Sequence, residues 1–209
     1  MKNVLTIINK PIFNAIGGII IFAIPFFVHI NFTIDLILLV ISYAGLTYAA
    51  LTSIFYLLQE FTKYKNKKKH LLITNIASAI SSLIMVILFT FPSLIPNYYG
   101  AEDGYIKENQ IYVTTNKECE YCEISADSRK RAVLLYNLTH DHRIQVVDLS
   151  NETNLGTSLN TKINIFGSIA KMKNNEIKQI PYSRGTSDKK PLRTSESYIY
   201  KSIYDIKKA

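Results

Sequence analysis

Apolar residues are concentrated in three long runs in the N-terminal half of the chain. The runs cover residues 11–30, 36–58 and 71–95, and none of them contains Lys, Arg, Asp or Glu. Each run has about 20 residues or more, which is long enough for a helix to cross the ~30 Å apolar core of a bilayer. A chain of 209 residues is too small to bury all three runs in one soluble core. The pattern therefore predicts a three-helix transmembrane anchor in residues 1–97.

Positive charge is found on one side of these predicted spans. Lys2 and Lys10 precede the first run, and five lysines lie in the 59–70 loop between the second and third runs. Because Lys and Arg are enriched in cytoplasmic loops, the N-terminus and this loop are predicted to be cytoplasmic. The third helix then emerges outside, so residues 98–209 are predicted to form an extracytoplasmic domain of a multi-pass cell-membrane protein.

Small and weakly polar residues recur at helix spacing along the predicted spans. They are Gly17, Gly18, Gly45, Ala49, Ser53, Ser78, Ser81 and Ser82. Such residues let helices approach closely, whereas a transport pathway would require ionisable residues in mid-membrane, which these runs lack. The runs also lack Cys, so they cannot relay electrons by thiol exchange. We therefore expect an anchor that packs in the lipid bilayer and offers a surface to a membrane partner.

The net charge of +8 does not indicate nucleic-acid binding. Much of it comes from the lysines around the predicted spans, and residues 98–209 carry 17 basic and 14 acidic residues that are interspersed. A nucleic-acid partner would require a basic face, so this class of function is set aside.

The second half of the chain has a mixed α/β pattern. Strands are predicted at 111–115, 144–149, 168–173 and 176–180, helices at 119–139 and 194–207, and a short helix or turn at 151–160. The pair Asn174 and Asn175 predicts the turn between the last two strands. The resulting order is βαβ, then α, then ββα, with an exposed loop over residues 182–197.

Both cysteines of the chain lie in one Cys-x-x-Cys motif, Cys119 and Cys122, where the first predicted strand leads into the following helix. A helix N-terminus offers unpaired amides and partial positive charge, which favour a thiolate at Cys119. Cys122 lies one turn further on, within reach of a disulfide. This spacing permits attack by Cys119 on a partner disulfide and resolution by Cys122.

Residues 105–209 resemble a thioredoxin-fold domain in length, element order and motif position. The stretch from Gly167 to Ile177 is similar to the family's strand–turn–strand, although Gly167 occupies the position of its cis-proline. Glu118 replaces the usual Trp before the first Cys, and Asp127 replaces the kink proline of the active-site helix. The resemblance implies a thiol–disulfide oxidoreductase with catalytic Cys119 and Cys122.

The resemblance also implies partners and a substrate loop. Phe166, Gly167 and Ser168 would line this loop, and Tyr121, between the cysteines, would cover the pair, contact substrate or face solvent. Similar domains service exported peptides such as bacteriocins or feed electrons to cytochrome maturation. We expect an exported cysteine-containing substrate, a membrane redox partner, and neither a metal nor another cofactor.

Three acidic residues, Glu118, Glu120 and Glu123, surround the motif. As acids at a helix start they complement the macrodipole. As neighbours of Cys119 they oppose its thiolate and would make the dithiol less oxidising.

Other interpretations of the cysteine pair stay open at this point. The pair could be an inert structural disulfide, or a metal site completed by His140 and His142 in a metal chaperone. The domain could also be a non-catalytic interaction module of a membrane immunity or assembly factor, for which Gly167 is the best support.

Overall fold

The computed structural model of the protein describes residues 4–62, 67–91, 94, 106–140, 144–150, 154–174, 176–182 and 194–209. The chain divides into two compact units, Met1–Thr90 and Phe91–Ala209. The described part of the first unit is helical, whereas the second unit contains a four-stranded sheet with helices.

Three helices form the described part of the first unit. They are α1 (Val4–Phe27), α2 (Phe32–Thr62) and α3 (Lys67–Thr90). By length and composition, Phe32–Gln59 and Lys69–Thr90 can cross a membrane, while the apolar part of α1, Pro11–Phe27, is shorter. Two membrane-compatible helices are therefore confirmed, and the third span stays a prediction. Only 22% of the most apolar stretch of Phe32–Gln59 and 11% of that of Lys69–Thr90 is buried.

Close packing between α1 and α2 depends on Gly18. A Cβ placed on Gly18 would lie 2.4 Å from the Cβ of Ala49, so a larger residue cannot fit without separating the helices. The Ser53 hydroxyl also donates to the Pro11 carbonyl at 3.0 Å. Gly17 differs, because no atom of the described residues lies within 4 Å of a Cβ built there. The packing role predicted for small residues is thus confirmed at Gly18 and Ala49 but not at Gly17.

Hydroxyl groups also link α2 to α3. The Ser78 hydroxyl donates to the Ala44 carbonyl at 2.9 Å, and the Thr47 hydroxyl donates to the Ser81 hydroxyl at 3.2 Å. Within a bilayer, such interhelical hydrogen bonds satisfy polar groups that lipid cannot. The serines of the third run therefore contribute to packing, as their spacing predicts.

The sheet of the second unit has the strand order β2-β1-β3-β4. Its strands are β1 (Ile111–Thr115), β2 (Gln145–Asp148), β3 (Ser168–Lys173) and β4 (Glu176–Pro181). β1 pairs in parallel with β2 and antiparallel with β3, and β3 pairs antiparallel with β4. All four predicted strands are confirmed, with the second shorter than expected.

Helices cover both faces of this sheet. Leu159, from α6 (Asn154–Asn160), packs with Tyr112 and Ala170 on one face. On the other face, Lys171 of β3 reaches α7 (Glu196–Lys208), where its Nζ donates to the Lys207 carbonyl at 2.9 Å. Because neighbouring strand residues point to opposite faces, β1 and β3 are buried on both sides. The end of β1 is therefore a rigid support for the turn and the cysteine motif that follow it.

The helix predicted over residues 119–139 is two helices, which corrects the expectation of one continuous element. α4 (Glu120–Ile124) ends at Ser125, and α5 (Ala126–Thr139) begins directly after it. The Ser125 hydroxyl is buried and accepts the backbone N–H of Thr194 at 3.1 Å. A contact with a residue far along the chain thus accompanies the break, without a proline.

α5 and α7 are joined by a charged contact. The Arg131 guanidinium lies 2.7 Å from a carboxylate oxygen of Glu196, and the Ser128 hydroxyl donates to the same oxygen at 3.3 Å. α7 begins after Ser195, whose hydroxyl accepts the N–H of Tyr198 at 3.3 Å. The loop predicted over residues 182–197 lies largely outside the described residues, as does Asn175 of the predicted turn; Asn174 has φ 52°.

Candidate functional site: a disulfide at the start of a helix

The cysteine motif begins at a turn that follows β1. The Asn116 side-chain oxygen accepts the N–H of Glu118 at 2.9 Å, and the Asn116 carbonyl accepts the N–H of Cys119 at 3.1 Å. This Asx-type turn reverses the chain and places Cys119 at the N-cap of α4. Asn116 was not singled out from the sequence, although Asn just after a strand is a turn signal.

Cys119 and Cys122 form a disulfide, with their Cα atoms 5.2 Å apart. Their environments differ, because Cys119 is half-buried and Cys122 is 0% exposed. In a disulfide exchange, an incoming thiol would therefore meet the sulfur of Cys119 first. The arrangement suits Cys119 as the attacking thiol of the reduced pair and Cys122 as the resolving one.

The Cys119 sulfur accepts the backbone N–H of Cys122 at 3.2 Å. A sulfur that accepts an N–H is favoured as a thiolate, since the hydrogen bond strengthens when the acceptor is charged. The same N–H also donates to the Cys119 carbonyl at 2.9 Å, so the sulfur shares this donor, and α4, with only five residues, adds the dipole of a short helix.

Arg129 of α5 lies against the motif, and its role there was not predicted from the sequence. Its Nη1 is within hydrogen-bond distance of the Cys122 carbonyl (3.0 Å), the Thr115 hydroxyl (3.2 Å) and the Tyr182 hydroxyl (3.0 Å). The available signal was its position, because Arg129 falls on the same helical stripe as the buried Val133, and the structure finds Arg129 half-buried there.

Tyr182, just after β4, connects this arginine to the sheet. It is 0% exposed, and its hydroxyl donates to the Thr114 carbonyl at 2.7 Å. Burial raises the pKa of Tyr182, and the adjacent Arg129 charge opposes this increase. Its backbone carbonyl accepts the Thr194 hydroxyl at 2.6 Å. Tyr182 is therefore a neutral, fixed hydrogen-bond partner of Arg129.

The predicted substrate loop lies directly before β3, at the same end of the sheet as the motif. Ser168 and Thr114 are buried and exchange hydrogen bonds between strands β3 and β1, with the two hydroxyls 3.2 Å apart. The Gly167 carbonyl accepts the N–H of Tyr182 at 2.9 Å. Gly167 has φ 70°, a backbone conformation that strongly favours glycine. Phe166 is 46% exposed and offers an apolar surface.

The acidic residues predicted to tune the motif, Glu118, Glu120 and Glu123, are all exposed, and Tyr121 is half-buried. Solvent screens exposed carboxylates, so their effect on Cys119 is modest.

We expect the double substitution Glu118→Gln and Glu120→Gln to favour the Cys119 thiolate, because it removes two negative charges beside the sulfur. The pH midpoint of alkylation of Cys119 by iodoacetamide should fall by on the order of half a pH unit. The matched control is Glu176→Gln, an exposed carboxylate at the first residue of β4. An unchanged midpoint in the double variant would show that these acids do not influence the motif.

The structure does not favour His140 as a metal ligand. The His140 Nδ1 lies 3.0 Å from the Tyr136 carbonyl, and Nε2 lies 3.0 Å from the Tyr204 hydroxyl. Its ring also stacks on the ring of Tyr136 at 3.9 Å. His142 lies outside the described residues, and among those the structure describes, no group of three His, Cys, Asp or Glu side chains could hold a metal ion. His140 therefore has a structural role between α5 and α7.

Comparison of the chain with family models, curated proteins and solved structures found no match.

Proposed function

We propose that the protein is a membrane-tethered thiol–disulfide oxidoreductase that acts on exported cysteine-containing proteins or peptides. The observation that carries this proposal is the asymmetric disulfide at the start of α4. Cys119 is half-buried and accepts an amide N–H, while Cys122 is completely buried behind it. A purely structural bridge that closes a loop of two intervening residues would stabilise the fold little, which favours a redox role.

The reaction would proceed by two exchanges at sulfur. The Cys119 thiolate attacks a disulfide of the partner, forming a mixed disulfide and releasing one partner thiolate, which takes up a proton from water. The Cys122 thiolate then attacks the Cys119 sulfur, re-forming the Cys119–Cys122 bond and releasing the second partner thiolate. Two electrons pass from the dithiol to the partner. The reverse sequence oxidises a partner dithiol.

Two features support a thioredoxin-like fold for residues 98–209. The βαβ-α-ββα element order underlying the resemblance matches the observed elements, and Cys119 lies between the first strand and the following helix. The break at Ser125 provides the interruption that a kink proline provides in the family.

A membrane anchor is supported by the exposed apolar surface of the first unit. A core helix of a soluble protein would be mostly buried. In contrast, only 22% of the most apolar stretch of α2 and 11% of that of α3 is buried. With the lysine-rich segment 59–70 in the cytoplasm, three spans would place the disulfide outside. Since the spans contain no Cys, a second membrane protein would have to recycle the dithiol.

Reduction of insulin by the purified full chain in detergent, with dithiothreitol as electron donor, tests this function. We expect catalysis above the dithiothreitol background, and loss of at least about a hundredfold in Cys119→Ser, because the attacking thiolate is gone. The matched control is Ser128→Ala, which alters a hydroxyl on the neighbouring helix and leaves the motif intact. Equal rates for the parent protein and the background would contradict the proposal.

One observation favours a second function, a non-catalytic interaction module of an immunity or assembly factor. Gly167, with φ 70°, stands where the family resemblance places a substrate-binding cis-proline. A loop that cannot align a substrate peptide would leave a fold able to bind partners without turnover. The same insulin assay separates the two functions, since the interaction module predicts no catalysis even with both cysteines reduced.

A further inference from the structure

The guanidinium of Arg129 is the cationic group that the structure places against the buried half of the cysteine motif. Its Nη1 lies 3.0 Å from the carbonyl oxygen of Cys122. The backbone N–H of Cys122 donates to the Cys119 sulfur at 3.2 Å. Arg129 and the Cys119 sulfur therefore bind opposite ends of Cys122, and the positive charge lies beside the Cys122 backbone.

This cation is held in place from two strands. Thr115, at the end of β1, and Tyr182, after β4, both accept from Arg129 Nη1. Tyr182 is itself fixed, because its hydroxyl donates to the Thr114 carbonyl and its ring is completely buried. The guanidinium carbon lies 6.0 Å from the centre of that ring. The planar guanidinium suits a site that offers several acceptors on different elements, and it brings a positive charge beside Cys122.

Cys122 requires such a charge more than Cys119 does. It is 0% exposed, and burial disfavours the charged thiolate that must attack the Cys119 sulfur in the resolving step. The other charged side chains of the motif are the exposed Glu118, Glu120 and Glu123 and, in the preceding turn, Lys117. Those three carboxylates oppose thiolate formation, and Arg129 offsets them from the buried side.

We infer that Arg129 is a positioning residue that stabilises the Cys122 thiolate and thereby promotes resolution of the mixed disulfide. The inference rests on the proposed oxidoreductase function for its kinetic consequence. Its thermodynamic consequence is independent of any protein substrate: a cation beside Cys122 stabilises the reduced pair and makes the disulfide a stronger oxidant.

Oxidised glutathione is a suitable probe, because the full chain in detergent can be reduced and then mixed with it. The Cys119 thiolate attacks the probe and releases one glutathione thiolate, and the Cys122 thiolate releases the second. In Arg129→Gln we expect the Cys119–glutathione adduct, quenched with acid and quantified by mass spectrometry, to persist about tenfold longer. We also expect a tenfold shift of the glutathione redox equilibrium toward the protein disulfide, which corresponds to about 30 mV.

Three variants separate a charge effect from a structural one. Arg129→Lys keeps the charge and should recover most of both values, whereas a purely structural role predicts that Lys fails as Gln does. Lys130→Gln removes one positive charge from the next position of α5 and should change neither value. If Arg129→Gln does not fold, Tyr182→Phe tests the inference in its place. Loss of the hydroxyl that holds the guanidinium should shift the adduct lifetime and the redox equilibrium two- to threefold in the same directions.

Unchanged adduct lifetime and redox equilibrium in folded Arg129→Gln would overturn the inference, as would an unchanged Tyr182→Phe where the first variant does not fold. Failure of the proposed function gives a different result. In that case the parent protein reduces no insulin, while the glutathione equilibrium of the pair still differs between the parent and Arg129→Gln.

Discussion

Cys122→Ser is expected to accumulate a covalent adduct between Cys119 and the exported partners that the proposed function requires. In this variant the half-buried Cys119 can still attack a partner disulfide, but no neighbouring thiolate remains to release the product. Release then depends on external thiols, and because an intramolecular step has become intermolecular, the adduct should live at least about a hundredfold longer. Adducts of the full chain in intact cells can be measured by non-reducing electrophoresis after acid quenching and alkylation.

Cys119→Ser is the matched control for this experiment, since it removes the other thiol of the same motif. It should form no adduct, because Cys122 is completely buried and cannot reach a partner. Adducts formed by Cys119→Ser instead of Cys122→Ser would reverse the assigned roles. Adducts in neither variant would favour the non-catalytic interaction module.

Gly18→Leu is expected to destabilise the helical unit strongly. The added Cβ would lie 2.4 Å from the Ala49 Cβ, so α1 must move away from α2. Separation would also break the hydrogen bond from Ser53 to the Pro11 carbonyl. Such overpacking costs about 1–3 kcal/mol, and the lost contacts add to that cost. Titration of the purified chain with sodium dodecyl sulfate, monitored by circular dichroism, measures the loss of stability. The unfolding transition should occur at a lower detergent concentration than in the parent protein.

Gly17→Leu provides a control that differs only in position. Nothing lies within 4 Å of a Cβ at residue 17, so this variant should unfold close to the parent protein. Both variants add the same apolar side chain to neighbouring residues, which keeps composition and hydropathy equal. A transition for Gly17→Leu as early as that for Gly18→Leu would show that the interface between α1 and α2 is wrong.

Much of the second unit could be predicted from local sequence patterns. Ile111–Thr115 is a short run of β-favouring residues, and Ser168–Lys173 is a strand that ends at the turn pair Asn174 and Asn175. α7 shows its apolar stripe in the same way and is found at Glu196–Lys208, close to the predicted 194–207. The cysteine motif was found because both cysteines of the chain lie in it.

Features that depend on distant contacts could not be predicted. The break at Ser125 coincides with a hydrogen bond from Thr194. Local helix propensity does not include a contact with so distant a residue, and it therefore favoured one continuous helix. Arg129 bonds directly to the Cys122 carbonyl, but its guanidinium also depends on Tyr182, a residue 53 positions away whose burial no periodicity indicates. Gly17 and Gly18 are the same residue type in adjacent positions, and only the packing of α1 distinguishes their roles.

The hydrogen bonds that shape the cysteine turn do not involve the bond between the two sulfurs. The Asn116 carbonyl holds the N–H of Cys119, the Cys119 carbonyl holds the N–H of Cys122 at 2.9 Å, and Arg129 holds the Cys122 carbonyl. Opening the sulfur bridge therefore leaves the backbone of the turn anchored on every side. In the proposed function, the two redox forms would share one backbone arrangement at this turn, and a turnover would involve little change in conformational entropy.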